Sequence, residues 1–272
     1  MSVIITLALI LLLLTAVYLF LLTPRQGHPG WEKLDGVRYA HRGLHNKDKG
    51  IPENSLAAFR LAVEHGYGAE LDVHLLKDGK LAVFHDSTLK RICGTEGRIE
   101  DLTVEQLKDY HLLGTEETIP TFEEVLDIFA GKTPLIIELK AVDGNSAVLT
   151  DAVMQVLKNW NGTYCIESFQ PAVVRHLKLN YPNVIRGQLS ENFFTSKSIS
   201  FGKAFLMTFL LTTRFTSPDF IAYAHKHRSC ISLRLMRKLY HVHEVGWTIR
   251  EQSVMEELEK DGVTPIFENF IP

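Results

Sequence analysis

Cysteine is scarce. Cys93, Cys165 and Cys230 are the three in 272 residues, widely separated and without a CxxC pair. Such spacing argues against a disulfide framework or a thiolate zinc site, and the three are read as buried thiols. An excess of positive charge is also missing, since 29 Lys and Arg stand against 32 Asp and Glu, a net charge of −3. No long-range field gathers a polyanion, so nucleic acid is set aside as a partner. No GxGxxG turn follows the first strand candidate, and no low-complexity tract or internal repeat interrupts the chain. With 46% hydrophobic and 22% charged residues, the chain has the balance of a folded body with a substantial core.

One long apolar run is present. Residues 3–22 contain only Thr6 and Thr15 among aliphatic and aromatic side chains. About 20 residues at ~1.5 Å each cover a hydrocarbon layer of ~30 Å. A cleaved signal peptide is the competing reading, but the run exceeds a typical h-region, no Lys or Arg precedes it, and Thr-Pro-Arg-Gln follows where an A-x-A site would stand. Residues 1–23 are therefore read as a membrane anchor and 24–36 as a linker. Arg25, Lys33 and Arg38 on the C-terminal side favour a cytoplasmic main domain in a single-pass membrane protein.

From residue 37 onward, strand-length apolar runs alternate with helix-length amphipathic stretches. Strands are expected at 37–40, 69–73, 135–139, 164–168, 184–189, 220–223, 245–249 and 264–267. Helices are expected between most of them, among them 55–64 and 147–159. Eight β-α units in residues 37–272 predict an α/β fold, a (β/α)8 TIM barrel with an insertion after the second strand. The apolar stretch 201–215 carries Lys203 and Arg214 and is too short to span a bilayer. It reads either as a helix packed on the barrel or as an amphipathic patch facing a membrane or a lipid-like substrate.

Polar residues at strand ends carry the chemistry, because the C-terminal rim of such a barrel is where reactive groups collect. The first strand ends in Ala40-His41-Arg42-Gly43. In Glu70-Leu71-Asp72-Val73 the two carboxylates project to one face, since strand side chains alternate. Glu138 and Lys140 repeat the i, i+2 spacing on the next strand. Three hard oxygen donors with open positions suit Mg2+ or Ca2+, with Mn2+ as a further option. Paired only with Arg42 and Lys140, the same groups would be a structural ion network, a costly arrangement to keep for stability alone. An Asp78-Gly79 turn predicts a hairpin that returns His85 to the rim, so that His41 and His85 flank one bond as proton acceptor and donor.

Together, His41-Arg42-Gly43, Pro52-Glu53-Asn54-Ser55, Glu70-Leu71-Asp72-Val73, Lys77-Asp78-Gly79, Phe84-His85-Asp86 and Glu138-Leu139-Lys140 resemble the glycerophosphodiester phosphodiesterases in order and spacing. The resemblance runs from residue 37 to about 269 and implies a TIM barrel, one divalent cation on Glu70, Asp72 and Glu138, and acid/base work by His41 and His85. It further implies phosphate contacts from Arg42 and Lys140, site-shaping roles for Glu53 and Asn54, and a tryptophan, Trp247, near the substrate. Its reaction is hydrolysis of a glycerophosphodiester to sn-glycerol 3-phosphate and an alcohol. The alternatives are a lysophospholipase D-type activity on lysophospholipids, or a non-catalytic membrane-bound barrel that binds phosphodiesters. Ser55 stands where the family commonly has Thr, Thr248-Ile249-Arg250 replaces Thr-Val-Asn, and Pro265-Ile266-Phe267-Glu268-Asn269 stands where it often ends in Thr-Asp-x-Pro. The late departures are expected to touch specificity more than catalysis. His45, His65, His74, His111 and those further along the chain receive no catalytic assignment and are read as mostly surface residues.

Overall fold

Aliphatic and β-branched runs bounded by turns form nine strands among the described residues of the computed structural model, which are 2–195 and 199–272. They are β1 (Tyr39–His41), β2 (Gly68–Leu75), β3 (Leu81–Val83), β4 (Leu135–Leu139), β5 (Tyr164–Ser168), β6 (Arg186–Ser190), β7 (Phe220–Ala224), β8 (His243–Ile249) and β9 (Val263–Phe267). All but β3 are parallel, in the order β1-β2-β4-β5-β6-β7-β8-β9, and β9 pairs back onto β1 to close a TIM barrel. Helices alternate with them: α1 (Ser2–Leu21), α2 (Leu56–Glu64), α3 (Lys90–Cys93), α4 (Phe122–Phe129), α5 (Ser146–Leu157), α6 (Pro171–Asn180), α7 (Phe201–Thr208), α8 (Thr213–Thr216), α9 (Ile231–Tyr240) and α10 (Gln252–Lys260). Their starts follow the sequence. Ser55 accepts from the Ala58 N–H, Thr121 and Glu124 form a capping box, and Pro171 opens α6 where its missing N–H costs nothing.

Period-two alternation decides what faces the barrel axis. Tyr39, Ile136, Cys165, Leu189, Phe220, Val245 and Ile266 form the interior cluster, while Ala40, Leu71, Ile137, Leu139 and Phe267 pack outward under the helices. Residues two further along each inward row therefore arrive at the C-terminal rim still facing in. The opposite end is plugged. Residues 24–36, read as a linker, are docked on the barrel, with Trp31 stacked on His243 at 4.5 Å and tilted against Phe220 at 5.2 Å. Arg25 pairs with Asp219 at 3.2 Å from the same segment.

Antiparallel β3 extends β2 beyond the barrel through the Asp78-Gly79 turn, with Val73 opposite Val83. The insertion that follows has its own small core of Leu76, Phe84, Leu89, Ile92, Ile99, Leu107 and Ile119. In the 201–215 stretch the reading as a helix packed on the barrel holds for one face of the helix. Ala204 and Met207 of α7 pack on Phe193, while Phe201, Phe205 and Leu206 stay exposed. Two surface or core assignments need correction. Cys165 is buried, but Cys93 and Cys230 are only half-buried. His74, read with the surface histidines, is 1% exposed because it lies on β2 beneath the insertion.

Candidate active site

His41 closes β1 opposite Glu70 of β2, and Asp72 of β2 lies opposite Glu138 of β4, so three inward rows deliver their polar ends to one spot. Glu70, Asp72 and Glu138 each offer a carboxylate oxygen, and these oxygens lie within 4.8 Å of one another in buried surroundings. Lys140 Nζ reaches Asp72 Oδ1 at 2.9 Å and Glu138 Oε1 at 2.8 Å. Arg42 donates through Nη1 to Glu53 Oε1 at 2.7 Å, its Nε lies 3.4 Å from Asp72 Oδ2, and its backbone N–H donates to Glu70 Oε2 at 3.2 Å. Asn54 Nδ2 donates to Asp72 Oδ2 at 2.9 Å. Arg42 and Asn54 both sit at positive φ, 56° and 53°, a strained backbone for non-glycine residues that concentrates at functional loops.

Crowding sets the electrostatics. Burial, then the charges of Asp72 and Glu138, push the Glu70 carboxyl well above its ordinary range. Burial also raises Glu138, only partly offset by Lys140. For Asp72 burial acts upward too, but Lys140 and Arg42 outweigh it and hold the group ionised. Three converging carboxylates, one of them unable to shed its proton easily, are a group that could hold a hard divalent cation.

Each imidazole is gripped by its own carboxylate. His41 Nδ1 is 2.5 Å from Glu268 Oε2, which leaves Nε2 facing inward, 3.8 Å from Glu70 Oε2. His85 Nδ1 is 2.5 Å from Asp86 Oδ1, leaving its own Nε2 free. The tautomers follow from these bonds: Nδ1 carries the proton toward the carboxylate and Nε2 is left without one. Burial lowers the His85 pKa to about 4, with Lys140 and Arg42 pushing the same way against Asp72 and Asp86. Burial lowers His41 as well, against the pull of Glu268.

All the residues singled out from the sequence converge here. His41, Arg42, Glu70, His85, Glu138, Lys140 and Trp247 line one rim cavity with Glu167, Phe169, Leu189 and Ile266, and Asp72, Glu53 and Asn54 support it from behind. Sequence reasoning missed several partners. Glu268 was expected to bear on specificity, yet it holds His41, and its inward position follows from Ile266 two residues earlier on β9. Glu167 follows Cys165 inward in the same way, lies opposite Glu138, and keeps a buried Oε2 without a hydrogen bond. Arg91, from the insertion, clamps Asp86 at 2.6 Å and Glu53 at 2.8 Å, a role its local sequence does not assign. His74 bridges Glu100 at 2.9 Å and the His85 carbonyl at 3.2 Å, fixing the backbone that carries the second imidazole.

A parallel (β/α)8 barrel whose rim joins a buried acid cluster to two carboxylate-held histidines defines a class of phosphoester-directed TIM barrels. The chain belongs to the Glycerophosphoryl diester phosphodiesterase family, whose model matches residues 41–272. It is 36% identical over 162 residues to a glycerophosphodiester phosphodiesterase of Caldanaerobacter subterraneus subsp. tengcongensis, covering 56% of this chain and 65% of that one, just under two thirds of the relative. Among solved structures, an Oleispira antarctica phosphodiesterase in complex with the product sn-glycerol-3-phosphate aligns with a TM-score of 0.71 at 23% identity, over 88% of this chain and 94% of that one. A glycerophosphodiester phosphodiesterase from Parabacteroides distasonis aligns at 0.67 and 25% identity, over 86% and 93%.

Proposed function

We propose that the protein hydrolyses glycerophosphodiesters to sn-glycerol 3-phosphate and an alcohol, using one divalent cation, Mg2+, Ca2+ or Mn2+. The observation that carries this reading is the pair of imidazoles, each with Nδ1 tied to a carboxylate and Nε2 left free, beside the Glu70, Asp72 and Glu138 cluster. Those three carboxylates would hold the cation, which would supply Lewis-acid polarisation of the phosphoryl oxygens and of the attacking oxygen. Arg42 and Lys140 balance the charge of the phosphodiester, while Glu53 and Asn54 keep Arg42 and Asp72 in place. Trp247, in edge contact with Phe169 at 5.6 Å, walls the cavity on the leaving-group or glycerol side.

His85, whose pKa is about 4, is neutral at pH 7 and accepts the proton of the attacking hydroxyl through Nε2. A phosphorus–oxygen bond forms to that oxygen, which belongs to water or to the neighbouring glycerol hydroxyl, and the bond to the alcohol breaks; where the glycerol hydroxyl attacks, water then opens the cyclic phosphate to give sn-glycerol 3-phosphate. His41 takes up a proton from solvent at Nε2, the imidazolium being stabilised by Glu268 against the opposing effect of burial, and delivers that proton to the departing alkoxide. The product-bound Oleispira antarctica relative supports sn-glycerol 3-phosphate as the retained product.

A second reading has a structural basis of its own. Trp247, Phe169 and Phe193 form an aromatic chain with contacts of 5.6 and 5.9 Å, and Phe194, next in sequence to Phe193, meets exposed Phe201 at 5.5 Å. Such a path suits the single acyl chain of a lysophospholipid. The catalytic domain is residues 37–272, with 24–36 as its connection to a retained single-pass anchor at 1–23 and the barrel on the cytoplasmic face. Turnover of glycerophosphocholine and lysophosphatidylcholine, with each cation and with chelator, tests the proposal. Cation-dependent release of choline supports it, and no cleavage of either substrate with any of the three ions ends it.

A further inference from the structure

The foot of α1 carries a feature that the rim chemistry does not use. A groove of about 320 Å³ opens there, lined by Phe20 of α1, Arg175, Lys178 and Leu179 of α6, and Arg214 and Phe215 of α8. Half of these side chains are cationic, and among the described residues none of the three cations pairs with a carboxylate. Lys178 Nζ donates only to the backbone carbonyls of Arg214 at 3.3 Å and Phe215 at 3.1 Å. The Arg214 guanidinium lies over the Phe20 ring, 5.1 Å from its centroid. Elsewhere on the surface arginines find acids, as Arg38 finds Glu259 at 2.7 Å and Arg228 finds Glu244 at 3.0 Å. Burial, with Arg214, Arg186 and Arg175 nearby, lowers the Lys178 pKa, so this corner repels added positive charge and lacks a counter-ion.

The rest of the wall is apolar and open, with Phe20 56%, Leu179 63% and Phe215 56% exposed. Free phosphate uses the cations and leaves this wall in water, whereas an amphiphile covers both. Position selects the amphiphile. The apolar span Val3–Leu21 has 19 residues, about 28 Å at ~1.5 Å per residue, near the ~30 Å hydrocarbon thickness. Phe20 is the penultimate residue of that span, so a groove against it opens at headgroup depth. Tyr18 and Leu22 pack with Leu210, Leu233 and Met236, which fixes the helix end to the barrel wall at this place.

We propose that the groove docks an anionic phospholipid of the leaflet at which α1 ends, its phosphate among Arg175, Lys178 and Arg214 and its upper acyl region against Phe20, Leu179 and Phe215. The bound lipid holds the barrel at a fixed tilt to the bilayer. This rests on α1 being a retained anchor, and the two ideas fail separately.

The full-length chain in nonionic detergent is titrated with dioleoyl phosphatidylglycerol or dioleoyl phosphatidylcholine and read by native mass spectrometry. Phosphatidylglycerol adducts should persist at least about fivefold over phosphatidylcholine, the scale expected of a basic headgroup pocket. Arg175→Gln/Lys178→Gln/Arg214→Gln should remove that preference while glycerophosphocholine turnover in the same detergent stays unchanged. Charge-conserving Arg175→Lys/Arg214→Lys should keep it. Equal retention of the two lipids, an unaltered preference in the triple variant, or inorganic phosphate binding as tightly as phosphatidylglycerol overturns the site. Intact mass of chain extracted from membranes tests the anchor: a chain starting beyond Phe20 overturns that reading, whatever the lipid titration of the full chain gives.

Discussion

Arg250 forms an ion pair with Glu268, Nη2 to Oε1 at 2.6 Å, while the other oxygen of Glu268 grips His41 Nδ1 at 2.5 Å. The two residues lie just past β8 and β9, and they are the two late departures from the family's usual Thr-Val-Asn and Thr-Asp-x-Pro. In the fold the two are linked, and the link ends on an imidazole of the candidate site. Burial would raise the Glu268 carboxyl, but the hydrogen bond from His41, with the His45 imidazole 3.7 Å away and the Arg250 charge beside it, outweighs burial and keeps the group ionised. An ionised acceptor at Nδ1 sets the tautomer and favours the imidazolium at Nε2.

Replacing that acceptor with a neutral isostere tests the role. Glu268→Gln should lower kcat on glycerophosphocholine by on the order of 10², the lower end of acid/base contributions, with KM little changed. Arg250→Ala should cost less, because it removes a contact to the oxygen that His41 does not use. An unchanged kcat in Glu268→Gln would leave the residue with a packing role only.

The proposed division of labour between the imidazoles predicts different responses to leaving-group quality. His41→Ala should lose about 10²–10⁴ in kcat on glycerophosphocholine, whose alkoxide needs a proton, and regain much of it on a p-nitrophenyl ester, whose phenolate does not. His85→Ala should lose similar activity on both. Because burial holds His85 at about 4, the acid limb of kcat/KM should fall well below the ordinary histidine pKa of ~6.5. Equal rescue of both variants would reverse or erase the assignment.

For the acid cluster the informative quantity is melting temperature. The Glu70 charge is opposed by burial and by Asp72 and Glu138, so without a cation it destabilises the fold. Glu70→Gln should therefore melt at the same temperature as wild type, or higher, in chelator. Adding Mg2+, Ca2+ or Mn2+ at about 100 times its Kd should stabilise wild type by ~2.7 kcal/mol and the variant by much less. Calorimetry with and without each ion decides it, and equal gains in both proteins would remove Glu70 from the ligand set.

The barrel and the convergence of the rim residues were legible because both rest on alternation along single strands. Glu70 and Asp72 share a face by arithmetic, and Asp78-Gly79 names its own hairpin. The same arithmetic reaches Glu167 and Glu268, which follow Cys165 and Ile266 inward, and both were passed over because their neighbours lack a reactive motif. Arg91 was not legible. Its contacts to Asp86 and Glu53 join residues 5 and 38 positions away through the fold of the insertion, a relation no local pattern encodes. Trp31 is similar, since a tryptophan in a Pro- and Gly-containing stretch reads as linker until the open end of the barrel is there to receive it.

Arg91 also yields the pH prediction. Burial alone would raise the Glu53 carboxyl, but Arg91 and Arg42 outweigh it and bring it to about 2, and Asp86 is brought to about 2 by Arg91 and His85 against the same burial. Both folded-state values lie below the unfolded values of ~4.3 for Glu and ~3.9 for Asp. Their contribution to stability is therefore complete above about pH 5 and is lost as pH falls toward 2. Arg91 is nearly half exposed, so solvent screens part of the effect. Arg91→Gln should lower the melting temperature at pH 7, and the gap to wild type should shrink steadily between pH 5 and pH 2.5 as both carboxylates protonate. Scanning calorimetry across that range checks it. A gap that stays constant would mean that Arg91 stabilises by packing its stem on the insertion, not by holding two ionised carboxylates at the mouth of the site.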